Sequence, residues 1–160
     1  MKYLIRKSVL EDMKRVEAAH RESILKICSK DYSPEQIEKF SQVKYTDDIW
    51  QNSVGNEFHI VVEIEGEVEG FCHAKVREDG NGEIVGLYLT PKAQGKKIGR
   101  EIVEQAFDFL KQFNPSKIVL NGTKTAKPFY EKMGFKVIEE KKSLIRGIEI
   151  ESFYMEKITS

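Results

Sequence analysis

The chain has 160 residues, of which 40% are hydrophobic and 32% are charged. This length and composition fit one globular domain, so we expect residues 1–160 to form a single domain. Lysine plus arginine and aspartate plus glutamate each number 26, so the formal net charge is zero. A nucleic-acid-binding protein usually carries a basic surplus, so this balance argues against a nucleic-acid partner.

The rest of the composition argues against a secreted, membrane-bound or metal-dependent protein. Cys28 and Cys72 are too few for a disulfide framework and lie in apolar-periodic segments, which predicts two buried thiols. The histidines lack metal-ligand spacing, so no metal is expected. Charges near the N-terminus interrupt any signal-peptide core, and no apolar run is long enough to span a membrane. We therefore expect a cytoplasmic protein without a membrane partner.

The first half of the chain predicts a strand followed by helices. Residues 3–7 form the strand, and Ser8 with Glu11 forms a capping box that begins the first helix. A second helix start lies at Ser33–Gln36, where a serine N-cap is followed by proline and a closing glutamine. Residues 42–56 predict loop and a short helix.

The second half of the chain alternates strand and helix patterns. Strands are predicted at residues 58–64, 68–76, 83–89, 117–120, 135–140 and 148–157. Helices are predicted at residues 98–113 and about 125–133. Short turns join the first three strands into an antiparallel meander, and the helical crossover places the fourth strand parallel to the third. The predicted fold class is α+β with one central sheet.

The segment Gln94–Arg100 carries two glycines and three cations between a strand and a helix. Unpaired N–H groups point outward at a helix N-terminus, and the helix dipole favours negative charge there. Glycine also lets the backbone approach a ligand closely. This segment therefore predicts a binding site for a phosphorylated ligand.

Two motifs, separated by one helix and one strand, carry a resemblance to a known family. The first is Gln94-Gly95-Lys96-Lys97-Ile98-Gly99, similar to a Gln/Arg-x-x-Gly-x-Gly/Ala pyrophosphate loop. The second covers residues 126–135, Ala-Lys-Pro-Phe-Tyr-Glu-Lys-Met-Gly-Phe, similar to Ala-x-x-Phe-Tyr-Glu-Lys-x-Gly-Phe at a helix end. In this order, the motifs resemble the GNAT superfamily of acetyl-CoA-dependent N-acetyltransferases, and the order of elements matches over nearly the whole chain.

The resemblance implies a GNAT-like fold, with a mixed, mostly antiparallel sheet of about six to seven strands flanked by about four helices. Acetyl-CoA would lie in a cleft between strands 83–89 and 117–120. The implied cofactor-binding residues are Leu87, Tyr88, Leu89, Gln94, Gly95, Lys96, Lys97, Ile98, Gly99, Arg100 and Asn121. Lys97 stands where the family usually has glycine, and we expect its backbone to be helical enough to tolerate a side chain. Thr123 stands where many members of the family have an asparagine that contacts the cofactor. Asn121 is therefore expected to make this contact instead.

Acetyl transfer from a thioester to an amine needs a neutral amine and a protonated leaving thiol. A lysine-like amine has a pKa of about 10.4, so a general base helps. By the resemblance Glu83 is the base, and the alternative is a solvated carboxylate beside a turn. Tyr130 aligns with the tyrosine that commonly protonates the thiolate, and the alternative is an aromatic ring that packs the helix onto the sheet.

The resemblance therefore implies an N-acetyltransferase in which a primary amine attacks acetyl-CoA directly in a ternary complex. Neither cysteine is expected to act as a nucleophile. A non-catalytic CoA-binding sensor and a transferase of another acyl-CoA stay open as alternatives. The acceptor partner is a small-molecule amine or a protein amine, and a homodimer is compatible with the family although no residue indicates it.

Overall fold

Seven strands and five α-helices make up the fold in the computed structural model, which describes residues 2–95 and 97–159. The strands are β1 (Tyr3–Lys7), β2 (Phe58–Ile64), β3 (Glu67–Val76), β4 (Gly82–Leu89), β5 (Lys117–Thr123), β6 (Lys136–Ile145) and β7 (Ile148–Ile158). The helices are α1 (Met13–Lys26), α2 (Pro34–Phe40), α3 (Asp47–Asn56), α4 (Ile98–Lys111) and α5 (Lys127–Lys132). Short 3₁₀ turns lie at Leu10–Asp12, Cys28–Lys30 and Pro91–Ala93.

The strands form one sheet in the order β1-β2-β3-β4-β5-β7-β6. Every neighbouring pair is antiparallel except β4 and β5, which are parallel because α4 carries the chain back across the sheet. This confirms the predicted α+β class, the meander of β2 to β4 and the parallel crossover. The parallel pair lies at the centre of the sheet, where it positions the candidate site.

Helices cover both faces of the sheet. On one face α4 buries an apolar stripe, in which Ile102, Ala106 and Leu110 are fully buried against β2 to β5. On the other face α1 and α3 pack on β2 and β3 through Val16 and Trp50. Both predicted buried thiols, at positions 28 and 72, are confirmed. No helix in the described ranges has the length and apolar character needed to span a membrane.

The predicted capping box at the first helix is wrong. The Ser8 hydroxyl instead shares a hydrogen bond with Nδ1 of buried His59 at 2.7 Å. The Asp12 carboxylate accepts the Val9 N–H at 2.9 Å, and a 3₁₀ turn precedes the first residue of α1, Met13. A tertiary contact to β2 therefore uses the serine that the local pattern assigned to the cap.

Of the other predicted elements, two agree with the structure and one strand is longer than predicted. The second capping box is confirmed, because Ser33 Oγ accepts the Gln36 N–H at 3.1 Å and Gln36 Oε1 accepts the Ser33 N–H at 2.9 Å. The segment 42–56, predicted as loop and a short helix, contains a loop followed by the ten-residue helix α3, which confirms the prediction. Strand β6 continues to Ile145 rather than ending at position 140, since its hairpin with β7 pairs along its whole length.

The buried carboxylate of Asp12 predicts acid sensitivity of the fold. Arg6 donates to both Asp12 oxygens at 2.8 and 2.9 Å, and these hydrogen bonds hold the pKa of Asp12 below its ordinary 3.8. Because the folded pKa is lowered, this stabilisation is present above pH 3.8 and is lost as the pH falls through the folded value. We expect Asp12→Asn to lower the free energy of unfolding by about 2–3 kcal/mol at pH 7 and by less at pH 3, measured by urea titration. An equal loss at both pH values would contradict this assignment.

Candidate active site

A cleft opens where β4 and β5 stop pairing. The two strands are paired only between Gly82–Ile84 and Ile118–Leu120. Beyond that point, within the described residues, β5 continues along β7 and β4 along β3, with no pairing between β4 and β5. The far half of β4 therefore presents backbone groups toward the cleft that β5 does not use.

A β-bulge lies where β4 leaves β5. Ala74 of β3 pairs with Ile84 and His73 pairs with Gly86, so Val85 is an extra residue in β4. A bulge shifts the alternation of side chains by one position. Leu87 and Leu89 consequently face the α4 core, while Tyr88 faces α1. The bulge itself was not predicted.

A cavity of about 140 Å³ occupies the cleft. It is bordered by five of the predicted cofactor-binding residues, which are Leu87, Tyr88, Leu89, Gln94 and Gly99. The end of α1 and the β5–α5 connection complete the wall with Ser23, Ile27, Cys28, Thr123, Thr125, Ala126 and Phe129. Cys28 thus borders the cleft, a position that the sequence did not indicate. Burial raises the pKa of its thiol. A thiol with a raised pKa is a weaker nucleophile at neutral pH.

The loop before α4 ends at the mouth of this cleft. Gly95 has a positive φ of 73°, and the loop is fixed to β4 where Gln94 Nε2 donates to the Leu89 carbonyl at 3.1 Å. The N–H groups of Ile98 and Gly99 have no acceptor among the described residues. Such groups at the start of a 14-residue helix suit an anionic ligand. Position 96, a predicted cofactor contact, lies outside the described residues.

Ile98 and Arg100, two further predicted cofactor contacts in this loop, differ in how much of each residue a ligand can reach. The Ile98 side chain is fully buried in the core, so only its backbone is available to a ligand. Arg100 is exposed and its Nε contacts Glu104 at 3.1 Å. An exposed ion pair of this kind contributes little free energy, so Arg100 can exchange Glu104 for a phosphate at small cost.

The expected helical conformation of Lys97 is wrong. Its φ of 60° and ψ of 12° lie in the left-handed region, and it forms the N-cap of α4. The loop reverses direction here before the helix begins. A residue with a Cβ in this region costs about 1–2 kcal/mol, which explains why glycine suits the position.

Lys97→Gly should therefore stabilise the protein. The relief of strain exceeds the added flexibility of the unfolded chain, and we expect a gain of about 1 kcal/mol, or about 2–4 °C in Tm. Thermal unfolding measures this. Lys97→Asn should give a smaller gain, because asparagine tolerates the left-handed region better than lysine. A lower Tm for both variants would show that the lysine side chain itself stabilises the loop.

Tyr130 lies at the inner end of the cleft. It borders a passage of about 20 Å³ between the split strands, together with Leu87 and Asn121. The ring is 4% exposed and packs against Phe129 and Phe135 at 5.3 and 5.7 Å between centroids. Burial raises the pKa of Tyr130 well above its ordinary 10.0, so the hydroxyl keeps its proton at neutral pH. The ring therefore packs the helix end onto the core, as the alternative predicted, and it also borders the cleft, while its role as proton donor stays a prediction.

Glu83 lies beyond this passage, on the face of the sheet that carries α1 to α3. It is half-buried and borders a polar basin outside the cofactor cleft. Asn121 borders both the passage and the basin. The structure therefore places Tyr130 and Glu83 on opposite sides of the opening between the strands.

Tyr32 ties the segment after α1 to the far wall of the cleft, a role that no local pattern indicated. Its hydroxyl donates to the Glu151 carbonyl at 2.7 Å and accepts the Lys124 N–H at 2.9 Å. Nearby, Thr125 Oγ1 donates to Asp31 at 2.7 Å. The segment after α1 is thereby tied to β7 and to the far wall of the cleft. Burial raises the pKa of Tyr32 to about 12, so these hydrogen bonds persist at neutral pH.

The three histidines lie under the helices rather than in the cleft. Burial lowers the pKa of His20 to about 3, and its ring lies 3.9 Å from Tyr88 between centroids. Burial likewise lowers the pKa of His59 to about 3. His73 contacts Glu57 at 2.6 Å. Among residues 2–95 and 97–159, no group of three or more His, Cys, Asp or Glu side chains is arranged to hold a metal ion.

A sheet split beside a bulged strand, with unpaired amides at the next helix start, is an arrangement that suits an extended ligand with an anionic group at the helix. Residues 28–157 match the acetyltransferase (GNAT) domain family, and the chain belongs to this family of acyl-CoA-dependent acyltransferases. The resemblance identified from the two motifs is thereby confirmed. No curated protein matches the sequence.

Solved structures agree in fold. The PaiA N-acetyltransferase of Thermoplasma acidophilum, in complex with coenzyme A, is 26% identical with a TM-score of 0.77, and the match covers 99% of this chain and 100% of that one. A GCN5-related N-acetyltransferase from Rhodopseudomonas palustris is 18% identical with a TM-score of 0.86, covering 99% and 97%. The ribosomal-protein-S18-alanine N-acetyltransferase of Escherichia coli is 13% identical with a TM-score of 0.71, covering 99% and 95%.

Proposed function

We propose that this protein transfers the acetyl group of acetyl-CoA to a primary amine by direct attack in a ternary complex. The observation that carries the proposal is a row of three cavities, at the α4 loop, at the split between β4 and β5, and at Glu83, in which each cavity shares at least one lining residue with the next. A donor in the first cavity and an acceptor in the third would approach the split from opposite faces of the sheet. The coenzyme A bound to the Thermoplasma relative supports the identity of the donor.

The donor would be held mainly by backbone groups. The amides of Ile98 and Gly99, with the loop around Gly95, would bind the pyrophosphate at the positive end of α4. The unpaired half of β4 would hydrogen-bond the pantetheine arm. A backbone N–H near the bulge would polarise the acetyl carbonyl and stabilise the oxyanion that forms during attack.

The two candidate catalytic side chains would act from opposite sides of the reacting carbon. Glu83 would accept the proton from the amine, directly or through water, as the N–C bond forms. Tyr130 would donate a proton to the sulfur as the C–S bond breaks. Its raised pKa suits a group that must remain protonated until the thiolate leaves.

Direct attack is favoured over an acyl-enzyme because neither thiol is activated. Burial raises the pKa of Cys72 to about 12, and it also raises that of Cys28. Acetyl is favoured over a longer acyl group because the similar solved structures are named N-acetyltransferases. A non-catalytic sensor has no need of an opening to the second face of the sheet.

An assay of thiol release from acetyl-CoA over a panel of primary amines tests this function, with mass spectrometry to detect the acetylated product. We expect amine-dependent release with acetyl-CoA and much slower release with hexanoyl-CoA. Binding of acetyl-CoA without transfer to any amine would support the sensor instead. Faster turnover with hexanoyl-CoA would contradict the acetyl assignment.

A further inference from the structure

A second concavity, of about 930 Å³, lies on the face of the sheet beyond the passage. It is open and polar, and we call it the acceptor basin. Its floor and rim include Glu57, Lys75, Glu83, Asn121, Lys141 and Tyr154. Because Asn121 also borders the passage, a ligand in the acceptor basin lies next to the point where an acetyl group would emerge.

Most charges around the basin already have partners. Glu57 contacts His73 at 2.6 Å, and Lys141 lies over the Tyr154 ring at 5.2 Å. Arg77, on the rim, contacts a neighbouring aspartate at 3.8 Å. These groups are therefore less available to a ligand than an unpaired charge is.

Lys75 and Glu83 differ from these paired charges, and also from the exposed Glu78, which has no ion pair among the described residues. They are half-buried and directly opposite each other in the antiparallel register of β3 and β4. Opposed positions of this kind place the two Cβ atoms about 5 Å apart. Yet neither forms an ion pair, with the other or with a further side chain, in the part of the chain that the structure describes. Two neighbouring side chains of opposite charge that do not pair with each other can bind a ligand that carries both a positive and a negative group.

We propose that the acceptor is an amine that also carries a carboxylate, such as an amino acid or a short peptide with a free C-terminus. The Lys75 ammonium binds the carboxylate, and the Glu83 carboxylate binds the amine and takes its proton. This assignment rests on the proposed function and names the substrate class for it. The ammonium first loses one proton to Glu83, which passes it to solvent, and the neutral amine then forms the N–C bond. As the C–S bond breaks, Tyr130 gives its proton to the sulfur and is reprotonated by the second proton that leaves the nitrogen, so that a neutral amide and free CoA result. The product then loses its charged contact with Glu83, which favours its release.

Pairs of substrates that differ only in the carboxylate test the assignment. L-Phenylalanine is compared with phenethylamine, L-lysine with cadaverine, and a free peptide with its C-terminal amide. We expect kcat/KM to be at least about 10-fold higher for the carboxylated member of the preferred pair, as a charged hydrogen bond provides. Lys75→Met should remove this preference, so that kcat/KM for the carboxylated member falls to that of the member that lacks the carboxylate. Lys7→Met, at an exposed lysine of β1 near the other edge of the sheet, is the matched control and should keep the preference.

The outcomes separate this assignment from the proposed function. Equal acetylation of both members of every pair, unaffected by Lys75→Met, would overturn the carboxylate assignment and leave the N-acetyltransferase intact. A preference for the carboxylated member that survives Lys75→Met would also overturn the role of Lys75. Failure to acetylate any amine would overturn both. Thermal unfolding of Lys75→Met shows whether the variant is folded. If its Tm is preserved but all activity is lost, the predicted selective loss of the carboxylate preference is wrong.

Discussion

Tyr130→Phe should lower turnover by about 10²-fold or more while leaving the affinity for CoA unchanged. The substitution removes only the hydroxyl, and the ring keeps its packing against Phe129 and Phe135. The thiolate then leaves without a positioned proton donor. Because its pKa is raised above 10.0, Tyr130 stays protonated at any pH below 10. Deprotonation of Tyr130 therefore does not slow the parent enzyme in this range. The rate should instead rise with pH as the amine loses its proton.

Steady-state kinetics and CoA binding, measured on the same preparations, check this result. Tyr3→Phe is the matched control, because Tyr3 lies in β1 at the opposite edge of the sheet and is 37% exposed. We expect it to retain full turnover. If Tyr130→Phe also retains turnover, Tyr130 is a packing residue and the proton comes from elsewhere.

Gly70→Ala should both destabilise the fold and weaken CoA binding. Gly70 of β3 pairs with Leu89 of β4. A Cβ at position 70 would lie 2.5 Å from Leu89 Cδ2 and 2.8 Å from the Tyr88 carbonyl oxygen. The side chain can move, but the carbonyl belongs to the strand that forms the cleft wall. We expect a loss of about 1–3 kcal/mol in the free energy of unfolding, the usual effect of overpacking.

A displaced β4 should weaken CoA binding as well as the fold, so CoA affinity distinguishes displacement from a loss of stability alone. CoA affinity, measured well below the Tm of the variant, should fall because the backbone of the cleft wall has moved. Gly55→Ala is the control, since a Cβ in that α3 position meets nothing within 4 Å. Alanine also favours a helix interior over glycine by about 1 kcal/mol, so Gly55→Ala should raise stability and leave binding unchanged. Normal CoA affinity in Gly70→Ala would show that β4 tolerates the added methyl group without moving.

The sequence predicted the features that depend on local chemistry. The strand–loop–helix pattern around Gln94–Arg100 located the α4 loop, because glycines and an amphipathic stripe are local signals. The two motifs fixed the family and, with it, the mixed sheet.

Features that depend on tertiary contacts were not predictable in this way. The bulge at Val85 is defined only by pairing with β3, and a single strand sequence does not show it. Ser8 matched a helix cap but serves His59 instead. Lys97 occupies a left-handed position that its residue type disfavours, so local propensity pointed the wrong way. The hydroxyl of Tyr32 bridges segments far apart in the sequence, and no spacing rule relates them.

The most direct test of the account is a thermal-unfolding titration with acetyl-CoA, CoA and ATP. A ligand at about 100 times its Kd adds about 2.7 kcal/mol of stability, which corresponds to about 5–10 °C for a chain of this length. We predict this shift for acetyl-CoA and CoA, and a much smaller one for ATP at equal concentration. A shift with ATP and none with either CoA species would contradict the assignment of the split between β4 and β5 as an acetyl-CoA site.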